Sequence, residues 1–391
     1  MITKITYGYK DVGIVPAEIS YVKSRSECNP YYGFLGGKQN ILPLFASPMS
    51  SVISDNNYET FEEHGITSII PRNIPFEKRK ELLFKGAWTG FSLNEFEELF
   101  CNEETYEQLP IMEYRVCIDI ANGEMACLYD ICKKAKKMSL GRAYVLTIMT
   151  GNIGNPATYN WIRRLNNGFC EKYKVDELVI DYIRVDIGNG NGCLTSSRTG
   201  VHYGIASLID ECNKIKFKYE GRCCPKIIAD GGVRDFSDAI KALALGADYV
   251  MIGSVFARFL ESAGEKILEN LDFDLPSKDI NDYTDFDYDD VLDQWVATYK
   301  DGRKYTMDID VTFFGMASGN GQRCISGEKT KVSEGTTKML KVNFTMPKWI
   351  NIMVGCLKSA MSYCNSFTLE DFVGKQELVI LSQNEINSLN K

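Results

Sequence analysis

The stretch that decides the fold is residues 178–195, which reads LVIDYIRVDIGNGNGCLT. Its first half is an apolar run with the length of a buried strand, and its second half alternates glycine with asparagine before reaching Cys193. Glycines let the backbone turn tightly and approach a bound group closely. Loops at the C-terminal ends of parallel strands carry the chemistry of barrels and open α/β sheets. We therefore interpret this loop as presenting Cys193 and, two residues later, the Thr195 hydroxyl.

The same alternation of short apolar runs and helical periodicity extends over residues 42–252. We predict strands at 42–47, 66–70, 114–120, 143–149, 178–185, 226–229 and 249–252, and helical segments at 56–64, 76–84, 93–100, 124–137, 156–173, 203–214 and 236–245. Short runs that alternate with longer helices indicate βαβ units and a parallel sheet. About eight such units in a segment of this length favour a (β/α)8 TIM barrel over an open sheet.

Past Gly253 this alternation ends and an acidic stretch follows. Residues 271–293 hold nine Asp against one Lys. They lack the glycine at position six and the glutamate at position twelve of a calcium-binding loop. A solvated surface insertion is therefore the favoured interpretation, and we place this acidic insertion at 266–297.

The segment after the insertion predicts a hairpin and then a flap. The sequence KDGR at 300–303 lies between apolar-polar alternations and predicts a turn. Five glycines between 315 and 335 predict a mobile flap, which we place at 315–340. A last long helix is expected at 347–363. The prediction for residues 1–391 is thus a single TIM-barrel catalytic domain that carries an insertion and a flap.

Composition narrows the classes of function. The chain has 391 residues, 45% of them hydrophobic, and a net charge of −8, so nucleic acid and anionic membranes are not expected partners. No apolar stretch reaches the ~18 residues of a spanning helix, and the polar N-terminus shows no signal core. The 13 cysteines include no C-x-x-C pair, which favours a reduced, cytoplasmic protein. The chain has only two histidines, so few residues are available to form a zinc site or a Cys-His pair.

Small and polar residues follow most of the predicted strands: SPM at 47–49, DIANG at 119–123, TGN at 150–152, ADGG at 229–232 and IGS at 252–254. In barrels, the loops after the last two strands often present backbone N–H groups to a phosphate. Gly231-Gly232 and Gly253-Ser254 occupy those positions, so we interpret them as a phosphate site. Asp230 beside them could accept hydrogen bonds from ribose hydroxyls. Each glycine taken alone is also explained by a structural turn.

These segments together resemble the IMP dehydrogenase/GMP reductase family, and its reductase branch in particular. The resemblance rests on YVKSRSE at 21–27, CIDIANG at 117–123, CLT at 193–195, RTGV at 198–201, DGG at 230–232, ALALGA at 242–247, GS at 253–254, FGM at 314–316 and VSEG at 332–335. It covers nearly the whole chain apart from insertions near 160–178 and at 266–297.

The resemblance implies a covalent mechanism. Cys193 would attack carbon 2 of a purine nucleotide as the thiolate. In a reductase, ammonia then leaves GMP to give a thioimidate, and hydride from NADPH yields IMP. Thr195 and Glu334 would move protons to and from the leaving amine. Without the family, Glu334 is equally well read as a solvated flap carboxylate and Thr195 as a turn hydroxyl.

The resemblance also implies which residues hold the ligands. The substrate-binding residues would be Met49, Asn191, Asp230, Gly231, Gly232, Gly253, Ser254, Met316 and Ser318. The NADPH-binding residues would be Arg72, Asp119, Ala121, Asn122, Asn152 and Ser333. A monovalent cation, K+, would be held by the backbone carbonyls of Gly188, Gly190 and Cys193. Relatives of this kind suggest a homotetramer.

Two features favour the reductase branch within this resemblance. The chain has no room for the paired regulatory CBS-type modules of the dehydrogenases. Its flap reads QRC at 322–324, where the dehydrogenases present an Arg-Tyr pair that activates water. Three alternatives stay open: an IMP dehydrogenase lacking regulatory modules, a reductase acting on another guanine-type nucleotide, and a non-catalytic nucleotide-binding barrel.

Five positions depart from the family pattern. Asp186 stands where relatives have glycine, and Asn191 where they have a phosphate-binding serine. Ser50 replaces an acidic residue, and Pro71-Arg72 replaces a His-Lys pair near the cofactor, although Arg72 would still suit a cofactor phosphate. A carboxylate at position 186 would oppose a phosphate dianion unless it points away. The identity of the purine nucleotide and its phosphorylation state are therefore left open by the sequence.

Overall fold

The computed structural model describes residues 4–33, 40–142, 144–269, 275–328 and 332–389. The strands are β1 (Val12–Ile14), β2 (Leu44–Ala46), β3 (Thr67–Ile70), β4 (Trp88–Phe91), β5 (Glu113–Ile118), β6 (Val145–Ile153), β7 (Tyr182–Val185), β8 (Lys226–Asp230), β9 (Tyr249–Ile252), β10 (Lys266–Glu269), β11 (Tyr283–Asp289), β12 (Gln294–Tyr299), β13 (Lys304–Phe314), β14 (Thr337–Lys341) and β15 (Leu378–Ile380). The α-helices are α1 (Tyr58–Glu63), α2 (Phe76–Phe84), α3 (Leu93–Cys101), α4 (Glu103–Gln108), α5 (Ala126–Arg142), α6 (Pro156–Tyr173), α7 (Thr195–Thr199), α8 (Ile205–Lys218), α9 (Phe236–Leu245), α10 (Gly319–Ser326), α11 (Met346–Tyr363), α12 (Leu369–Phe372) and α13 (Gln383–Leu389).

Strands β2 to β9 form a closed parallel barrel. Each strand pairs with the next along the chain, and β9 pairs back with β2. Helices run between the strands, so the predicted (β/α)8 TIM barrel is confirmed. In such a barrel all eight strands end at the same face, which brings the loops after them together. Across the described ranges, every helix is too short or too polar to cross a membrane.

Strand β4 is the barrel strand that the predicted series omitted. Its sequence, WTGF, mixes threonine and glycine with two aromatic residues and shows no apolar run. Pairing with β3 on one side and β5 on the other makes it a strand. Gly90 is required there, because a Cβ would lie 2.9 Å from the carbonyl oxygen of Ile70. Tertiary pairing therefore decides this element, not its own pattern.

Aromatic side chains fill the barrel interior. Phe45, Trp88, Tyr182 and Tyr249 form one buried cluster with smaller apolar residues. The Phe45 and Trp88 rings meet edge to face with centroids 5.7 Å apart, and the Trp88 and Tyr182 rings do so at 5.3 Å. Such contacts add to the free energy gained by burying the rings. Because the interior is packed, ligands are confined to the face where the strands end.

A buried ion pair ties α5 to the start of β7. Lys136 Nζ lies 2.8 Å from Asp181 Oδ2, and the Lys136 side chain is 4% exposed. Asp181 also accepts the backbone N–H of Ile148 at 2.7 Å. Burial raises the pKa of Asp181, while the Lys136 ammonium opposes that shift.

We expect Lys136→Met to lower the free energy of unfolding by about 3 kcal/mol, because it leaves a largely buried carboxylate without its counter-charge. Chemical denaturation at neutral pH measures the change. Lys137→Met, on the exposed neighbouring position of α5, is the matched control and should change little. Adding Asp181→Asn to Lys136→Met should recover part of the loss. Equal stability of the two lysine variants would contradict this account.

A second sheet, of five antiparallel strands, is formed by the part of the chain that follows the barrel. Its order is β10-β13-β12-β11, and β14 also pairs with β13. Its own core includes Tyr283, Tyr288, Trp295 and Met307. The acidic insertion supplies β10, β11 and most of β12, so its Tyr283, Tyr288 and Trp295 are buried in a sheet and the expected solvated insertion is corrected for this part of it. Residues 270–274 of the insertion lie outside the described residues.

The turn between β12 and β13 confirms the predicted hairpin. The N–H of Tyr299 donates to the carbonyl of Arg303 at 2.8 Å, and the N–H of Gly302 donates to the carbonyl of Tyr299 at 2.8 Å. Gly302 has a φ of +86°, which suits a glycine. The turn determines where β13 begins and sets its register with β12.

The second sheet is continuous with the predicted flap. β13 runs directly into Gly315, and β14 begins three residues after Glu334. The sheet holds β14 at its far end, because Lys341 lies 2.8 Å from Asp293 and 3.1 Å from Asp308. Within 315–340 the chain forms α10 and β14, and residues 329–331 lie outside the described residues. Mobility of this segment stays a prediction.

Candidate active site

One cavity of about 270 Å³ opens at the face where the barrel strands end. Its walls come from the C-terminal ends of β2 and β5 to β9, from loops that follow these strands, and from the flap. All of the predicted site residues line it except Arg72, Asn122, Ser318 and Ser333. The structure therefore brings most of the candidate residues into a single space.

The loop after β7 shapes the backbone around Cys193. Gly188 has a φ of +78°, and a Cβ there would lie 2.7 Å from the Ser196 side chain. The N–H of Cys193 donates to the carbonyl of Gly190 at 3.0 Å, which closes a turn just before the cysteine. α7 begins two residues later, and the Thr195 N–H points to the Cys193 sulfur at 3.4 Å. The half-buried thiol thus faces the cavity from a tightly fixed loop.

Three side chains form a hydrogen-bonded series in this cavity. The Cys193 thiol donates to Thr195 Oγ1 at 3.2 Å. That hydroxyl donates to Glu334 Oε2 at 3.1 Å. A thiol, a hydroxyl and a carboxylate in this order can pass a proton from the nucleophile to a base. The interpretations of Thr195 as a turn hydroxyl and of Glu334 as a solvated carboxylate do not account for this contact.

Main-chain bonds hold the flap against the cysteine loop. The N–H of Leu194 donates to the carbonyl of Glu334 at 2.7 Å, and the N–H of Thr336 donates to the carbonyl of Gly192 at 3.0 Å. Cys193 and Gly335 pair as an isolated antiparallel bridge. The backbone therefore sets the distance between the thiol and the Glu334 carboxylate.

Another part of the cavity wall, packed on the first residues of the cysteine loop, carries the glycines of the expected phosphate site. Gly231 and Gly232 have φ of +137° and +74°, which side-chain-bearing residues rarely adopt. A Cβ on Gly231 would lie 2.5 Å from Asp186 Oδ2, so this carboxylate packs directly on the glycine. On the other side, Gly253 packs on Met49 and lies next to Ser254.

Asp186 is a buried carboxylate at this end. It accepts hydrogen bonds from the N–H and the side-chain amide of Asn189, at 3.3 and 2.6 Å. Burial raises the pKa of Asp186 to about 7. The group is thus partly neutral near pH 7, and its expected opposition to a phosphate dianion is reduced but not removed.

Arg184 is a residue of the site that sequence reasoning missed. Its guanidinium is 4% exposed and lies 3.2 Å from Asp119 Oδ1 and 3.5 Å from Asp230 Oδ2. It also donates to the carbonyl of Gly151 at 3.3 Å. Arg184 was not singled out from the sequence, because it lies inside a run of apolar residues that predicts a buried strand. The available signal was the charge itself, because a buried arginine is expected only beside carboxylates.

The residues expected at the cofactor end divide into two groups. Asp119, Ala121 and Asn152 line the cavity, and Asn152 donates to Asp230 Oδ2 at 2.9 Å. Arg72 lies just behind them, donating to the carbonyl of Asp119 at 2.9 Å. Its Nε is buried without a partner in the described structure. A cation with an unused donor beside the cavity fits a phosphate-bearing cofactor.

Three predicted polar residues instead stabilise local backbone. The Asn122 side chain is exposed and accepts the N–H of Glu124 at 3.0 Å. Ser318 accepts the N–H of Gly321 at 3.0 Å and caps α10. The Ser333 hydroxyl donates to the carbonyl of Gly335 at 2.9 Å. Their contacts explain why these positions lie beside the cavity and not on its wall.

The three carbonyls expected to bind a cation are already partly used. The Gly188 carbonyl accepts the Ser196 hydroxyl at 3.0 Å, and the Gly190 carbonyl accepts the Cys193 N–H at 3.0 Å. Three neutral oxygens, two of them engaged, do not complete a cation shell, and we assign no chemical step to a cation. Among the residues that the structure describes, no group of three or more His, Cys, Asp or Glu could hold a metal.

Comparisons with known proteins agree with this geometry. The IMP dehydrogenase / GMP reductase domain model matches residues 111–273. GMP reductase of Staphylococcus epidermidis is 33% identical over 270 residues, which is 67% of this chain and 74% of the relative. GMP reductase of Enterococcus faecalis is 32% identical over 271 residues, covering 68% and 75%. GMP reductase 2 of Bos taurus is 26% identical over 392 residues, covering 96% and 94%.

Proposed function

Because the chain belongs to the IMP dehydrogenase/GMP reductase family, we propose that it catalyses the NADPH-dependent reductive deamination of GMP to IMP. A GMP reductase-like oxidoreductase is what its relatives support. The observation that carries the proposal is the Cys193–Thr195–Glu334 series, which opens into a cavity with a glycine-lined end.

In the first step, Cys193 sulfur forms a bond to carbon 2 of GMP and the bond from carbon 2 to the exocyclic amine breaks. The thiol proton passes to Thr195, and the Thr195 proton passes to Glu334, along the two observed hydrogen bonds. Glu334 returns a proton to the departing amine, so that ammonia leaves and a thioimidate to Cys193 remains.

In the second step, the carbon–sulfur bond breaks and Cys193 leaves as the thiolate. NADPH, when bound, would supply the hydride that takes the place of the amine on carbon 2. Asp119, Ala121 and Asn152 would hold the reacting end of this cofactor, with Arg72 behind them as a cation for its phosphates. The flap backbone, which bonds to Gly192 and pairs with Cys193, would help to keep water from the reacting carbon.

The remaining predicted residues would position the nucleotide. Backbone N–H groups of Gly231, Gly232, Gly253 and Ser254 would bind the phosphate, as the loops after the last two barrel strands often do. Met49 and Met316 would pack on the purine, and Asp230 would meet the ribose. Asp230 is held in place by Asn152 and Arg184, so its orientation is fixed before the ligand arrives. The homotetramer, the cytoplasmic location and the cation stay predictions.

The deciding experiment offers the purified protein two substrate pairs and follows cofactor absorbance. Loss of NADPH with GMP, together with IMP and ammonia as products, supports the proposal. Activity only with IMP and NAD would replace it with an IMP dehydrogenase. Binding of either nucleotide without turnover, seen as a rise in Tm, would favour the non-catalytic barrel.

We expect Thr195→Val and Glu334→Gln each to lower kcat by about 10²- to 10⁴-fold, since each breaks the proton path that the hydroxyl and the carboxylate complete. Stopped-flow NADPH oxidation at saturating GMP measures the effect. Ser197→Ala is the matched control, because that hydroxyl, in the same helix, donates to the Leu194 carbonyl at 3.0 Å and not to the series. Full activity of Thr195→Val would remove the hydroxyl from the mechanism.

A further inference from the structure

The cavity holds more negative than positive side chains. The charged residues that line it are Asp119, Asp186, Asp230, Glu334 and Arg184. Arg184, the one cation among these described lining residues, is already paired with Asp119 and Asp230. A phosphate monoester adds a charge between about −1.5 and −2 at neutral pH. Backbone N–H groups provide only partial charges, so a nearby cation would further stabilise a phosphate bound in this cavity.

Lys338 is placed to supply that charge. It lies on β14 directly opposite Phe313 of β13, and Phe313 lines the cavity. Side chains of directly opposed residues lie on the same face of an antiparallel pair. The Lys338 side chain therefore lies on the same face of the strand pair as Phe313, just outside the cavity wall and next to the cysteine loop.

The contacts of Lys338 leave its charge uncompensated. Its Nζ donates to Asn191 Oδ1 at 2.8 Å and to the Asn191 carbonyl at 3.1 Å. Both acceptors are neutral, and the described residues show no carboxylate paired with Lys338. An ammonium has three N–H donors, so one stays available. Asn191 itself lines the cavity, which puts this donor at the edge of the cavity.

We propose that Lys338 is a specificity-determining residue that binds the 5′-phosphate of the substrate, with Asn191 holding its ammonium in place. The inference rests on the proposed function only for the identity of the nucleotide. It makes the flap strand part of the phosphate site, because Lys338 and Glu334 lie four residues apart on one segment. A bound phosphate would then add to the main-chain bonds that already hold that segment against the cysteine loop.

Equilibrium binding of GMP and of guanosine, measured by calorimetry, tests the proposal without requiring turnover. Lys338→Met should weaken GMP binding by about tenfold, the loss of one charge-assisted hydrogen bond. Guanosine, which has no phosphate, should bind both proteins equally. Lys338→Arg keeps the charge and should retain most of the affinity for GMP. Lys304→Met is the matched control, because Lys304 is also exposed on β13 but lies at its other end, opposite Thr298.

Three outcomes would overturn the proposal. They are an unchanged GMP affinity in Lys338→Met, an equal loss for GMP and guanosine, and an equal loss in Lys304→Met. An equal loss for both ligands would make Lys338 a residue that only shapes the loop. A protein that binds GMP through Lys338 but does not oxidise NADPH would refute the proposed reaction and leave the phosphate contact standing.

Discussion

Cys193→Ala should lose turnover of GMP by at least about 10⁴-fold while its affinity for GMP changes little. The substitution removes the only protein atom that forms a bond to carbon 2 in the proposed reaction. It leaves unchanged the glycines and Lys338, which are proposed to bind the phosphate, so nucleotide binding should persist. NADPH oxidation measures the first quantity, and calorimetry with GMP measures the second.

A matched control for this variant is Cys324→Ala. Cys324 is exposed on α10 of the flap, whereas Cys193 is half-buried at the cavity. The control should oxidise NADPH at the normal rate. If Cys193→Ala kept a rate within about tenfold of the native protein, a covalent mechanism would be excluded. Mass spectrometry of native protein quenched during turnover should also show an adduct that the Cys193→Ala protein lacks.

Arg184→Met should be the most destabilising single change in the site. It leaves the carboxylates of Asp119 and Asp230 without the buried cation that lies 3.2 and 3.5 Å from them. Removing one partner of a buried ionic group typically costs about 3–5 kcal/mol. The free energy of unfolding, from urea denaturation, should fall by that amount. Activity of the remaining folded protein should also fall, because the two carboxylates repel each other and turn away.

Two comparisons isolate the cause of that effect. Arg115→Met removes an arginine whose partner, Glu113, is 45% exposed, so its effect should stay below about 1 kcal/mol. Arg184→Met combined with Asp119→Asn and Asp230→Asn should regain much of the lost stability, since no buried charge is left unpaired. An Arg184→Met protein as stable as the native one would show that the charges are solvated.

Local periodicity was sufficient to predict the barrel but not every strand in it. Runs such as KIIAD and YVMI are apolar enough to identify β8 and β9 by themselves. The sequence of β4 does not identify it as a strand, because it contains threonine and glycine. β4 is a strand because it pairs with β3 and β5. The acidic insertion shows the same limit. Its aspartates predicted a solvent-exposed segment, whereas Trp295 and Tyr288 are part of the buried core of the second sheet.

The candidate site was predictable where function lies in short motifs. The composition of the cysteine loop and of the glycine pairs was enough to predict them, and the family resemblance added Glu334. Arg184 and Lys338 were not predictable in this way. The role of Arg184 depends on carboxylates 65 and 46 positions away in sequence (184 − 119 and 230 − 184), and that of Lys338 on a contact 147 positions away. Only the closed barrel and the register of β13 with β14 bring these partners together.

The route of the chain through the site also fixes an order of events during synthesis. Cys193 and the last barrel strand, β9, leave the ribosome well before Glu334. Glu334 lies 139 residues after Thr195, its hydrogen-bond partner. At the usual pace of translation this interval is on the order of 10 s. The barrel can therefore close around its nucleophile while the carboxylate that completes the proton path has not yet been made. The proposed proton path is therefore completed only after the whole barrel has been synthesised.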